Sequence, residues 1–124
     1  MNNKEIVRDF IEKVFNRHDL SGLERYMHDD YIQHNPGIAD GRDAFKDAFE
    51  NGMFKRRPNF RQEIKHMYCD GDIVVVHLLA IAEAGVDENI VFDVYRLRDG
   101  KLAEHWDCIQ HLTPAQLPNA QGFF

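Results

Sequence analysis

The sequence has few cysteines, a shortage of positive charge and no long apolar run. Its 124 residues include only two cysteines, Cys69 and Cys108, which lie far apart and within predicted strands. Such a pair lacks the close spacing of a zinc knuckle, and we expect both thiols to be reduced. Lys and Arg number 15 against 21 Asp and Glu, for a formal net charge of -6. Nucleic-acid binding depends on clustered basic side chains, so no nucleic-acid partner is expected.

The apolar segments are too short to cross a bilayer. The longest, Ile73 to Ala82, is interrupted by His77 and has about half of the roughly 20 residues that a transmembrane helix needs. The chain does not open with a charged stretch followed by an apolar run, as a secretory signal would. These features predict a cytoplasmic protein without membrane contact.

Helical periodicity is confined to the first half of the chain. Asn2 or Asn3 can cap a first helix in which apolar residues recur at three- and four-residue steps, and Ser21 can cap a second, shorter one. A third helix is predicted from Asp43 to Phe54. The intervening segment from Tyr31 to Gly41 reads as irregular, because Pro36 disfavours helical dihedrals in the residue before it.

The second half of the chain reads as extended. Asp70-Gly71 and Asp99-Gly100 are favoured hairpin turns, so the strands form an antiparallel meander, and the tail from Pro114 to Phe124 is predicted to be extended. Helices followed by hairpin-linked strands predict one α+β domain over residues 1–124, a cone-shaped barrel in which a curved, mostly antiparallel sheet wraps around about three N-terminal helices. The four predicted strands are Asn59 to Cys69, Ile73 to Glu83, Asn89 to Arg98 and Lys101 to Leu112.

Polar side chains interrupt the apolar strands. His105 and Asp107 share one face of the last strand, Asp93 lies about opposite them across the Asp99-Gly100 turn, and His77 occupies the central strand. A buried carboxylate is costly unless it is paired. Any one of these residues is explained by a hydrogen-bonded core position or an exposed strand face. Together with His34, they predict a polar-lined pocket.

Three stretches of the chain then resemble a known family. Tyr31 to Pro36, Asp93 to Leu97 and Asp99 to Asp107 are similar to the corresponding motifs of the SnoaL-like polyketide cyclases, within the nuclear transport factor two-like superfamily. The resemblance covers essentially the whole chain. It implies a cone-shaped barrel, a homodimer formed through the outer sheet face, and an intramolecular aldol condensation that uses neither metal nor cofactor.

The resemblance also implies roles for individual residues. Asp107 takes the position of the acid and base aspartate, with His105, Asp93 and His34 as its catalytic neighbours. We further predict substrate contacts on the central strand, on the strand before the last and in the loop. The short, acidic loop before the third strand differs from a dedicated cyclase, so a smaller carbonyl compound is as reasonable a substrate as a polycyclic one. The predicted substrate-binding residues are Asn35, His77 and Tyr95.

Four functions therefore remain open at this point. The first is a cofactor-independent lyase or isomerase acting on a carbonyl compound, and the second is a noncatalytic module that binds a small apolar ligand. The third is a metal site, although no His-x-x-x-His spacing supports it, and the fourth is a dimerisation scaffold. The metal site would draw on His34, His77, His105, Asp93 and Asp107, and the dimer on an apolar outer face of Trp106, Phe92, Val94, Val74, Val76 and Leu78.

Overall fold

The computed structural model describes all of residues 1–124 and begins with a helix. Helix α1 covers Asn3–Phe10 and continues as a π-helical segment over Ile11–Asn16. The side chain of Asn2 caps α1, because it accepts a hydrogen bond of 2.9 Å from the backbone N–H of Glu5. A single 3₁₀ turn, Leu23–Arg25, stands where the second helix was predicted.

The next helical segment closes one side of the molecule. Helix α2 covers Arg42–Asp47, continues as a π-helical segment over Ala48–Met53 and ends in one α-helical turn, α3, at Phe54–Arg56. Gly41, with φ of 102°, precedes α2 in a conformation that favours glycine. The whole helical segment starts one residue before the predicted start at Asp43 and ends two residues after the predicted end at Phe54.

Five strands form one open, mixed sheet. Its strand order is β1-β5-β4-β3-β2, with β1 parallel to β5 and all other neighbours antiparallel. The parallel edge strand corrects the prediction of an irregular segment after Tyr31, since that segment is extended as far as Gln33. The strands are β1 (Met27–Gln33), β2 (Arg61–Asp70), β3 (Ile73–Glu83), β4 (Asp87–Arg98) and β5 (Lys101–His111).

The β4–β5 hairpin has the predicted turn. Asp99 and Gly100 have φ values of 53° and 75°, and positive φ at both central residues defines the type I′ turn that suits the twist of a hairpin. The turn, together with a one-residue register shift between Arg96 and Leu97, sets a register in which Asp93 lies directly opposite Asp107 and Tyr95 opposite His105. The expected approach of these polar groups across the hairpin is confirmed.

The faces of β3 were assigned wrongly in part. Val74, Val76 and Leu78 belong to the buried core, whereas they were predicted on the outer face. His77 pairs with Phe92 on the outer face instead. Both faces of β3 are apolar, so the alternation of side chains could not decide which one is inside.

The main core lies between the helices and the inner face of the sheet. Phe10 is fully buried at its centre, with the rings of Phe15, Phe45 and Tyr95 within 6.0 Å of it between centroids. Aromatic pairs at such distances add to the free energy of burial. This packing holds the inner side chains of β4 in place.

The C-terminal segment covers part of the outer face. Residues Leu117–Phe123 form a 3₁₀ helix, where an extended tail was predicted. The ring of Phe124 lies 4.7 Å from the ring of His77, and its carbonyl accepts a hydrogen bond of 2.8 Å from the ring of His66. Phe124 therefore packs on the sheet of its own chain. The structure contains no helix with the length and apolarity required to span a membrane.

Candidate active site

A cavity of about 390 Å³ lies between the helical segments and the inner face of the sheet. Aromatic rings of Phe15, Phe45, Phe49 and Phe60 form much of its wall. Pockets of this size hold small organic ligands and combine an apolar wall with a few convergent polar groups. The polar groups here come mainly from β4 and β5.

The inner side chains of β4 and β5 run from an exposed rim to a buried floor. Arg57 lies at the rim, with its guanidinium 3.9 Å from the carboxylate of Asp87. At the floor, Tyr95 is 2% exposed and His105 is 6% exposed. Successive opposed pairs on the two strands are Asn89 and His111, Val91 and Ile109, Asp93 and Asp107, and Tyr95 and His105.

The floor of the cavity carries a buried chain of three polar groups. His105 Nε2 lies 2.7 Å from Asp93 Oδ1, and His105 Nδ1 lies 2.5 Å from Gln33 Oε1. The side chains of His105 and Asp93 are 8% and 5% exposed. Burial raises the pKa of Asp93, although its hydrogen bond with His105 opposes that rise.

These contacts restrict the protons of the chain. With Gln33 Oε1 as an acceptor, Nδ1 of His105 is a donor. A single further proton then lies between Nε2 and the carboxyl of Asp93, so the pair is neutral overall whichever partner holds it. A neutral pair avoids the cost of a buried net charge. Because both ring nitrogens form hydrogen bonds within the protein, His105 is part of the cavity wall and has no free nitrogen for a ligand.

Asp107 is held differently from Asp93. It is half-buried, lines the cavity and accepts a hydrogen bond of 2.9 Å from Nδ2 of Asn35. Asn35 follows β1, in the loop that turns toward α2, and its Oδ1 accepts from the backbone N–H of Gly37 at 2.9 Å. The loop thus fixes the amide, and the amide orients one carboxylate oxygen of Asp107. The other oxygen is free of this contact.

Two tyrosines complete the floor. Tyr31 and Tyr95 are both buried and both line the cavity. Burial raises the pKa of each phenol well above its ordinary value, and the nearby Asp93 raises it further. Both therefore remain protonated, as hydrogen-bond donors. The ring of Tyr95 packs 4.7 Å from that of His105, which links it to the buried chain.

Two predicted site residues lie outside the cavity. His34 is on the outer side, where its Nε2 lies 2.6 Å from Glu104 Oε2 and its ring stacks on Trp106 at 4.6 Å. His77 is on the outer face and stacks on Phe92 at 4.0 Å. The expectation that these two imidazoles line the pocket is wrong. Their neighbours by alternation, above all Gln33 and Asn35, point inward instead.

The other predicted residues converge. Asp93, His105 and Asp107 each offer an atom within 4.8 Å of one another, and Asn35 and Tyr95 line the same cavity. The three converging groups are of types that bind metals, but both nitrogens of His105 already have protein partners. The five-residue metal set considered from the sequence is not assembled, because His34 and His77 lie elsewhere.

Several polar or phenolic residues of the cavity wall are not among the predicted site residues, and three of them lie on the edge strands of the sheet. Tyr31 and Gln33 line the cavity from β1, and Gln62 lines it from β2. The alternation of Tyr31, Gln33 and Asn35 is a signal in the sequence, since side chains two residues apart share a face of an extended chain. Pro36 and the glycines around it instead favour an irregular segment, in which alternation has no meaning.

The chain matches a known domain family. The family model of the SnoaL-like domain matches residues 7–105. No curated protein sequence is significantly similar.

Solved structures with the same fold are numerous. A protein described as a candidate polyketide cyclase from Acidithiobacillus ferrooxidans has 24% identity and a TM-score of 0.76 over 95% of each chain. IdmH from Streptomyces antibioticus, described in the same way, has 19% identity and a TM-score of 0.72 over 98% of this chain and 99% of that one. A SnoaL-like polyketide cyclase from Agrobacterium tumefaciens has 12% identity and a TM-score of 0.75 over 98% of each chain. The family model matches most of the length of the chain, and the similar structures share its fold, so the chain belongs to the SnoaL-like domain family.

Proposed function

We propose that the protein catalyses cofactor-independent acid and base chemistry on a carbonyl compound, with Asp107 as the base. The supporting observation is the position of the Asp107 carboxylate in the wall of a largely apolar cavity, held by Asn35 and set beside the neutral Asp93–His105 pair. The names of the similar structures, several of them polyketide cyclases, agree with this class of reaction. Lyase and isomerase reactions both begin with the same step.

In that step Asp107 takes a proton from the carbon next to a carbonyl group, and the C–H electron pair moves to form an enolate. A carboxylate near the acidic carbon and a donor near the developing oxyanion are what such a step requires. The phenol of Tyr95, kept protonated by burial, is the donor in this proposal. The remaining N–H of Asn35 is a second candidate.

The enolate then has two outcomes. In an aldol cyclisation its carbon attacks a second carbonyl of the same molecule, a carbon–carbon bond forms, and the new alkoxide takes the proton from Asp107. In an isomerisation the substrate has a C=C bond next to the acidic carbon, the enolate is conjugated with it, and Asp107 returns the proton to the far carbon of that bond, which shifts the double bond. Both routes leave Asp107 as it began and need no external oxidant or reductant.

The Asp93–His105 pair has a positioning role in this scheme. His105 packs against the Tyr95 ring and is itself held by Gln33 and Asp93. A rigid wall behind the donor keeps it oriented toward the oxyanion without reorganisation during the reaction. The roles of His34 and His77 predicted from the sequence do not enter the scheme, because both lie on the outer side.

The test is exchange of α-protons in deuterated buffer. A panel of β-dicarbonyl compounds is incubated with the wild type and with Asp107→Asn, and the loss of the α-proton signal is followed by NMR. General-base catalysis contributes about 10²- to 10⁴-fold, so the variant should lose most of any acceleration while it remains folded. Asp70→Asn, at an exposed hairpin, makes the same change of charge and should behave as the wild type.

A noncatalytic binding role is the second candidate. It is favoured by one observation: both nitrogens of His105 form hydrogen bonds within the wall, which leaves no free imidazole nitrogen at the floor of the cavity. If compounds that bind show no accelerated exchange with the wild type, the binding role replaces the catalytic one. If Asp107→Asn exchanges protons as fast as the wild type, Asp107 is not the base.

A further inference from the structure

The cavity contains a buried polar atom without a partner, far from the proposed base. The side chain of Gln62 is part of the cavity wall, and the residue is 9% exposed. Its Oε1 atom is buried and accepts no hydrogen bond within the protein. It is the only buried side-chain nitrogen or oxygen atom in the structure that has no hydrogen-bond partner. Buried acceptors are almost always paired, because an unpaired one costs folding free energy.

The backbone around Gln62 is fixed, so the unpaired atom is not a result of a loose segment. Asn16 Oδ1 accepts a hydrogen bond from the N–H of Gln62 at 2.7 Å, and Asn16 Nδ2 donates one to its carbonyl at 2.9 Å. These two contacts join the first helical segment to β2. They hold Gln62 with its side chain in the wall of the cavity.

The position of Gln62 sets a distance to the proposed base. Gln62 pairs with Ala80, which pairs with Asn89, so these residues form one row across the sheet near the rim. Asp93, opposite Asp107, lies four residues further along β4, about 13 Å at about 3.3 Å per residue. Gln62 on β2 and Asp107 on β5 are also separated by three strand-to-strand steps of about 4.8 Å each. Side chains reach into the space between the rows and shorten that span.

We propose that the side-chain amide of Gln62 turns into the cavity when a ligand binds, so that its Oε1, closed off in the empty cavity, accepts a hydrogen bond from a hydroxyl group of the substrate. This inference rests on the proposed function, which places the carbonyl group at the other end of the substrate beside Asp107. The substrate class is then an elongated, mainly aromatic or alicyclic carbonyl compound with a hydroxyl group at its far end. A cavity of about 390 Å³ with phenylalanines between the two polar ends fits such a molecule.

A site built around an acceptor discriminates strongly against ligands without the matching donor. When the donor is missing, the acceptor stays buried and unpaired in the complex, and affinity falls. Gln62 therefore determines specificity, and it takes no part in the proton transfer.

The test compares three probes that differ at one position. They are 1-(biphenyl-4-yl)butane-1,3-dione and its 4′-hydroxy and 4′-methoxy derivatives, whose binding to the wild type is measured by calorimetry. We expect the hydroxylated probe to bind about tenfold more tightly than the unsubstituted one. In Gln62→Met, which is similar in size, this preference should disappear while the affinity for the unsubstituted probe is kept. Gln62→Glu retains an acceptor and should keep a preference for the hydroxyl.

Several outcomes would overturn the inference. Equal binding of the hydroxylated and unsubstituted probes would mean that water keeps Oε1 satisfied. A preference for the hydroxyl group that survives in Gln62→Met would mean that another residue accepts the hydrogen bond. Tighter binding of the methoxy probe would mean that the amide presents its N–H₂ group. Failure of the wild type to bind any probe would also contradict the assigned size and donor. Thermal unfolding checks the fold of Gln62→Met, which should be at least as stable as the wild type because it buries no unpaired acceptor. The probe experiments measure affinities, so their results are independent of whether Asp107 catalyses proton exchange.

Discussion

His105 Nε2 lies 2.7 Å from Asp93 Oδ1, in a part of the wall that water barely reaches. Burial is the main cause of the raised pKa of Asp93, and the hydrogen bond with His105 only partly offsets it. The free side chain has a pKa of 3.8. In the window above that value the carboxyl of Asp93 holds a proton in the native protein, whereas the same carboxyl has released it in the unfolded chain. The contribution of Asp93 to the free energy of unfolding therefore falls as the pH rises through the window.

Asp93→Asn should remove this pH dependence. The variant keeps the size of the side chain and has no carboxyl to titrate, so its stability relative to the wild type should increase with pH above 3.8. The increase should end at the pKa of Asp93 in the folded protein, and each unit between the two pKa values contributes about 1.4 kcal/mol. Urea unfolding of both proteins across a pH series measures the difference. A difference that stays constant over the series would show that Asp93 does not titrate in this range.

Asn35→Ala should slow proton exchange while the fold is kept. The amide of Asn35 holds one oxygen of Asp107 at 2.9 Å, and loss of one orienting donor in an active site costs about ten- to a hundredfold in rate. His34→Ala is the matched control, since the neighbouring side chain points to Glu104 on the outer side. NMR exchange rates for the two variants provide the comparison. If His34→Ala were the slower of the two, the assignment of inner and outer residues in this segment would be wrong.

The approach of Asp93 to Asp107 followed from the sequence, and the reason is local. The Asp99-Gly100 turn allows a two-residue connection with positive φ at both positions, and this determines the register of the hairpin to within the one-residue shift that follows between Arg96 and Leu97. Once the register is known, the face shared by His105 and Asp107 follows from the alternation of side chains. The same local information also predicted the four strands and a cap of the first helix at Asn2 or Asn3, of which the structure has Asn2.

The position of the two outer histidines did not follow from the sequence, for two different reasons. His77 lies in a strand whose faces are equally apolar, so its inward or outward direction depends on which neighbour covers which face. His34 follows β1, an edge strand that pairs with β5 from a distant part of the chain. No turn connects these two strands, so the sequence has no local signal for their pairing. Gln62 was missed for a third reason, because a single glutamine in an extended segment has no pattern to single it out. What mattered was the absence of a partner, which only the packed structure reveals.

Phe92→Asp tests the expected homodimer. Phe92 is 44% exposed on the outer face, where it stacks on His77. We expect the wild type to associate through this face, because exposed aromatic residues beside Val94 and Trp106 form an apolar surface. A carboxylate buried at the centre of an interface should raise the dissociation constant by about a hundredfold or more. Sedimentation velocity over a concentration series gives the constant.

The control for the dimer is a second exposed apolar residue. Val86 is 63% exposed in the turn between β3 and β4, so Val86→Asp adds the same charge away from the outer face and should leave association unchanged. A wild type that sediments as a monomer at all concentrations would contradict the expected dimer. Equal weakening by both variants would place the interface elsewhere.

Tyr95→Phe tests the donor that the mechanism assigns to the developing oxyanion. The phenol of Tyr95 stays protonated because burial, and then Asp93, raise its pKa, and its removal leaves the ring and its packing on His105 in place. Loss of one such donor costs about 10²- to 10³-fold in the rate of the chemical step. The variant should therefore exchange α-protons slowly while its affinity for the same β-dicarbonyl compound changes little, because the donor acts mainly on the charge that develops in the transition state. Tyr68→Phe removes a phenol that is 59% exposed and should have no effect. A slow Tyr31→Phe beside a fully active Tyr95→Phe would transfer the donor role to Tyr31, the other protonated phenol of the floor.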